Sequence, residues 1–140
     1  MKTGPLALTF LVAASVPAWT QTLNCENPTS QVEMTGCADR ELTAADDALN
    51  RTYADAMRIA RERDEDGHPG SAVPVVSLLR DAQRAWIPFR DRACDLEASA
   101  WAGGSGQSMA YLQCKTRLTR ERSRDLCLFM DMTRSLEECS

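Results

Sequence analysis

The sequence predicts an all-α fold, an antiparallel bundle of three long helices stapled by disulfides. Three observations predict it. Apolar residues recur at threes and fours over long stretches, the repeat of an amphipathic helix. Two clusters of turn-forming residues, at 64–70 and 103–106, divide those stretches into three. Six cysteines, Cys25, Cys37, Cys94, Cys114, Cys127 and Cys139, form an even set in a small chain and read as three bridges. No strand alternation, internal repeat or low-complexity segment is present.

The first residues read as a targeting segment. Met1-Lys2 is a short charged start, Leu6 to Val16 is apolar apart from Thr9 and Ser15, and Val16-Pro17-Ala18 suits cleavage. The apolar run is too short to span a bilayer, so residues 1–18 are expected to be a cleaved signal peptide. Residues 19–140 then form a single helical domain, large enough for a modest core. Thr22-Leu23-Asn24 before Cys25 is a poor lipidation signal. The expected product is exported, periplasmic or secreted, with no membrane insertion after cleavage.

Cleavage removes Lys2 from the 16 basic residues, leaving 15 against 20 acidic ones, a net charge of about −5. That balance argues against nucleic-acid and anionic-membrane binding and suits a basic protein partner. No C-x-x-C pair occurs, so zinc, thioredoxin-like and haem-attachment chemistry have little support, and no cofactor or metal is expected.

The first helix is expected over about residues 30–64. Ser30 and Glu33 form a capping box, and Val32, Cys37, Leu42, Ala45, Leu49, Tyr53, Ala56 and Ala60 supply the apolar repeat. Asp64 to Gly70, with its acids, glycines and proline, reads as a solvated loop. Pro74 restarts the chain, and a second helix runs from Val75 to about Trp101. Pro88 inside it removes a backbone donor and should kink the helix or open its ladder. A third helix runs from Gln107 to about Met130, with Tyr111, Cys114, Leu118, Arg122 and Leu126 in one stripe. The last ten residues form a tail.

The second helix holds the stretch round which the others are arranged. Gln83, Trp86, Arg90 and Cys94 share one face, and a tryptophan and a cysteine there turn that face inward. Gln83 and Arg90 then need specific partners. Counting outwards from the turn near residue 104 sets Cys94 level with Cys114 and Trp86 level with Arg122. Counting from the loop near residue 69 sets Trp86 level with Thr52 and Tyr53, with Asn50 one turn away. Asn50, Tyr53, Gln83, Trp86 and Arg122 therefore share a cross-section, read as a polar-bridged core. Cys94–Cys114 follows from the count. Cys37 and Cys127 stand about 30 Å apart, so Cys25–Cys37 and Cys127–Cys139 most simply close locally.

These residues resemble the LprI-type family, the N-terminal domain of a lysozyme inhibitor. The resemblance rests on Cys25 with Thr29, Glu33-Met34, Cys37-Ala38, Asp46 or Asp47 with Leu49-Asn50-x-x-Tyr53, and Gln83-x-x-Trp86. It continues through Arg90-Asp91-x-x-Cys94, Cys114, and Thr119-x-x-Arg122 with Leu126. It implies a small exported helical protein, with a lysozyme-type muramidase as a protein partner for at least one member type. Pro88 and the pair Cys127 and Cys139 depart from the family's pattern.

Other motifs read as bland. His68, the one histidine, has no nucleophile motif near it. Residues 103–108 lack the strand and the Gly-Lys-Ser/Thr ending of a phosphate loop. Lys115, Arg117, Arg120, Arg122 and Arg124 alternate with Glu121 and Asp125 round the third helix, the pattern of a solvated face. The sequon Asn50-Arg51-Thr52 falls inside a helix. No carboxylates point to acid–base chemistry, so the expected product is a binding protein and not an enzyme. Should it block a muramidase, Ser105, Gln107 and Ser108 in the uncharged second turn are the candidate contacts. The alternative is a structural module of the cell envelope with another protein partner and no effect on lysozyme.

Overall fold

The structure, a computed structural model, describes residues 23–67, 72–131 and Cys139. The expected signal peptide, His68 and the acids Glu137 and Glu138 lie outside the described residues. Helix α1 spans Gln31–Glu65, α2 spans Val75–Ala98 and α3 spans Gln107–Met130, with one 3-10 turn, Ser99–Trp101, extending α2. No strand occurs among the described residues.

Each boundary has a local cause. At the start of α1 the Glu33 amide donates to the Ser30 hydroxyl, and Glu33 Oε2 accepts from the Ser30 and Thr29 amides. Those bonds hold the Glu33 carboxyl below the usual carboxylate range, the Thr29 amide contributing most. Gly67 takes a positive φ of 66° just beyond α1, and Gly103 takes 79° in the turn between α2 and α3.

α2 starts at Pro74, which offers no side-chain cap. Asp64 supplies it from the last turn of α1, its carboxylate accepting from the Val75 amide at 2.6 Å and the Val76 amide at 3.1 Å. The acid expected in an open loop is thus a cap on the next helix. Helix α2 also runs through Pro88 without a break. Pro88 lies on an exposed face beside Arg84, whose carbonyl can turn to water when the proline withholds its donor.

Packing is led by small residues. Ala56 and Ala60 of α1 are fully buried, and α1 packs most extensively on α3. Alanines at those positions let the two backbones approach closely. Leu49, Leu79 and Leu126 join them as the core, flanked by half-buried Tyr53, Met57, Trp86 and Phe129. Toward the other end the core is built round Cys94 and Cys114, both buried.

Disulfides join Cys25 to Cys37, Cys94 to Cys114 and Cys127 to Cys139, with Cα–Cα separations of 5.6, 5.5 and 5.7 Å. The first folds the N-terminal segment back along α1, where Leu23 occupies the space beside Gly36 that a Cβ would need. The second clamps α2 to α3. The third ties Cys139 to the last turns of α3. Each closes a short loop, and a loop of about 15 residues is worth about 3 kcal/mol in the chain-entropy view.

Candidate functional site

Arg90 is the one buried charged residue among the described residues, its side chain only 10% exposed. Its Nη1 donates to Asp46 Oδ1 on α1 at 3.0 Å and to Thr119 Oγ1 on α3 at 3.1 Å. Its Nε donates to Asp91 Oδ1 at 3.0 Å, and its guanidinium lies 5.0 Å from the centre of the Trp86 ring. The Thr119 hydroxyl also donates to Asp46, at 3.4 Å, so one arginine joins all three helices.

The network extends along α3. Lys115 stands 3.3 Å from Asp91 and over the Tyr111 ring. Burial alone would raise the Asp91 carboxyl; the Arg90 bond and charge, with the Lys115 charge, outweigh it and hold the group below its ordinary range. A general acid is tuned the other way. One level along, Arg122 Nε donates to Gln83 Oε1 at 3.0 Å, which supplies the partner that Gln83 requires. No buried polar side-chain atom among the described residues lacks a partner.

Three members of the expected cross-section sit differently. Asn50 is exposed. Four residues advance a helix by 400°, so Asn50 stands about 40° further round than Asp46, past the edge of the buried stripe. Asp46 borders that stripe and meets Arg90 instead. Trp86 is half-buried: its ring covers the arginine and packs on the core without being enclosed. Tyr53 is likewise half-buried against the core. Thr119, fully buried, and Thr116 occupy the centre of the α3 face, where hydropathy favours Leu118. Their hydroxyls bond to Arg90 and to the Leu112 carbonyl, so a polar label hides an inward position.

The turn between α2 and α3 forms a second surface. Ser105, Gln107 and Ser108 are exposed. The Gly104 amide donates to the Trp101 carbonyl at 2.9 Å, and the Gly103 amide donates to Gln107 Oε1 at 3.4 Å. Trp101 stands beside them, 60% exposed. It borders a groove of about 330 Å³ whose other walls include Glu97, Met109 and Arg117, the two charges paired at 2.7 Å. Sequence reasoning places Trp101 only at a helix end. The glycine-rich turn directly after it is the available signal that the chain has no room left to bury it.

Among the described residues no group of three or more His, Cys, Asp or Glu stands together to hold a metal ion. No described helix is long and apolar enough to cross a membrane.

Known proteins extend the picture. An uncharacterized protein of Rhizobium meliloti (strain 1021) is 33% identical over 135 residues, covering 94% of this chain and 97% of its own length. The uncharacterized protein YecT of Escherichia coli (strain K12) is 27% identical over 110 residues, covering 76% of this chain and 68% of its own. No solved structure matches. The family model described as lysozyme inhibitor LprI matches residues 25–126, which hold the Arg90 network and the α2–α3 turn, and the chain belongs to that family.

Proposed function

We propose that this protein is an exported, disulfide-bonded inhibitor of a lysozyme-type muramidase, acting through the α2–α3 end of the bundle. The observation that carries the reading is the exposed Trp101 beside an uncharged turn that Cys94–Cys114 steadies from below. Exposed tryptophans at the rim of a groove are the usual anchors of a protein contact. Muramidases of this kind cut between two cleft carboxylates, and an inhibitor can fill the cleft and donate hydrogen bonds to those acids. Ser105, Gln107 and Ser108 carry neutral side-chain donors, and Gly103, Gly104 and Gly106 add no side chain that would hold the turn off a cleft wall. The acidic residues Asp64, Glu65 and Asp66 lie at the opposite end of α2, where cleft carboxylates would not meet them. A net negative chain is also steered towards a basic enzyme.

A lysozyme lysis assay on bacterial cell walls tests the reading, with the oxidised protein added in excess. Inhibition is expected, together with a loss of about tenfold or more in Trp101→Ala and in the pair Ser105→Glu and Gln107→Glu, at unchanged melting temperature. Lysis at the same rate with and without the parent protein overturns the inhibitor reading and leaves an envelope module with a different protein partner. Full inhibition by both variants moves the contact away from this end.

A further inference from the structure

Helix α2 carries two apolar faces. Leu79, Trp86 and Cys94 face the bundle with Arg90. A second stripe, Leu78, Ala82, Ala85, Phe89, Arg92 and Leu96, steps by four, three, four, three and four residues, the spacing of a helix–helix seam. All six are exposed, Phe89 to 63% and Leu96 to 75%. An apolar stripe about five turns long, left open to water, marks a docking face.

The stripe is symmetric about the level of Ile87. Leu78 and Leu96 lie nine residues on either side of it, Ala82 and Arg92 five, Ala85 and Phe89 two. A second copy laid antiparallel on it pairs leucine with leucine at both ends and sets each Phe89 ring over the small Ala85 of the other chain. Arg92 then crosses the other chain's Ala82 and arrives beside Asp81, and the two-fold axis makes that pairing twice. A parallel copy would set Arg92 against Arg92 and Phe89 against Phe89, with alanines facing across a gap. In one chain Asp81 lies 3.9 Å from Arg84, and Arg92 lies 3.3 Å from Asp95, all four side chains more than half exposed. Exposed pairs of that kind cost little to exchange.

We propose that the outer face of α2 is a homodimer interface, in which two copies pack α2 against α2, antiparallel and two-fold symmetric at the level of Ile87. The interface is isologous, so the assembly closes at two. Sedimentation of the purified oxidised protein up to about 100 μM tests it, a range that reaches weak association. A dimer is expected, weakened about tenfold or more by Phe89→Glu, whose exposed position leaves the single-chain fold intact. Asp81→Arg should also weaken it, and adding Arg92→Asp to that variant should restore it, since the charges then pair with their signs exchanged. A monomer throughout the range, as when a different segment or protein covers the stripe, overturns the proposal. So does a dimer indifferent to Phe89→Glu, and so does a double charge variant no better than the single one.

Discussion

Arg63 and Asp64 are adjacent in the chain and serve opposite helix ends. Asp64 accepts the first amides of α2. Arg63 donates to the Phe129 and Met130 carbonyls at the end of α3, at 2.9 and 3.3 Å, with its guanidinium 4.5 Å from the centre of the Phe129 ring. The signs match the helix dipoles at both places, an acid at an N-terminus and a base at a C-terminus. The last turn of α1 therefore fixes where α2 begins and α3 ends.

Asp64→Ala should cost about 1–2 kcal/mol by thermal or urea melting, the value of a lost N-cap that Pro74 cannot replace. Asp64→Asn should recover only part of the loss, because it keeps one acceptor oxygen where the carboxylate supplies two. Equal melting of parent and Asp64→Ala would show that the amides of α2 find another acceptor.

The Arg90 network predicts coupling across three helices. Breaking a buried pair costs about 3–5 kcal/mol. Asp46 and Asp91 are 41% and 38% exposed and stay hydrated alone, so Arg90→Met should cost about 2–3 kcal/mol after that discount. Thr119→Val should cost about 1 kcal/mol, the worth of an ordinary hydrogen bond. Combined, the two should cost less than their sum, because each removes the bond between Arg90 and Thr119. Strict additivity in the double-mutant cycle would show that the bond contributes nothing.

Acid should weaken the fold through Asp91 and Glu33. Both carboxyls are held lower in the folded chain than in the unfolded one, so the unfolded chain takes up protons first. Their contribution is complete above the unfolded value of about 4 and is lost as pH falls through the folded value. Denaturant melts should be flat in this respect from pH 7 to about 5 and decline below about 4. Asp91→Asn should flatten that decline, and an unchanged acid profile in that variant would place the linkage on other carboxylates.

The helices were legible because each carries a long apolar repeat, and glycine and proline separate the three repeats. The level count also reached Gln83 with Arg122, since turns this short leave little freedom in register. Asp64 was not legible as a cap: a cluster of acids before Gly67 reads as solvated, and only the path of the chain brings Val75 back to it. Thr119 was legible as part of the family pattern but not as a core position, because its hydroxyl scores as polar yet is bonded within the core. Asn50 was misplaced because a level count fixes height along the bundle and not the side of the helix on which a residue stands. The inward face of α2 was legible from Trp86 and Cys94, whereas the second stripe of Leu78, Phe89 and Leu96 was not, because a helix that buries one face carries no signal of what meets the other.

The three disulfides divide the molecule unevenly. One lies within the N-terminal segment and α1, one joins α2 to α3, and one lies within α3 and the residues after it. No bridge connects α1 to the other two helices, so the peptide link between Asp66 and Pro74 is their sole covalent tie. A protease that severs it yields two pieces that migrate apart on a non-reducing gel, each with its own disulfides intact. In solution those halves would be held together without a covalent bond, by Asp46 on Arg90 and Thr119, Arg63 on the end of α3, Asp64 on the start of α2, and the alanine face. The oxidised protein is therefore a single helix docked on a locked hairpin and tethered to it by one short stretch of chain.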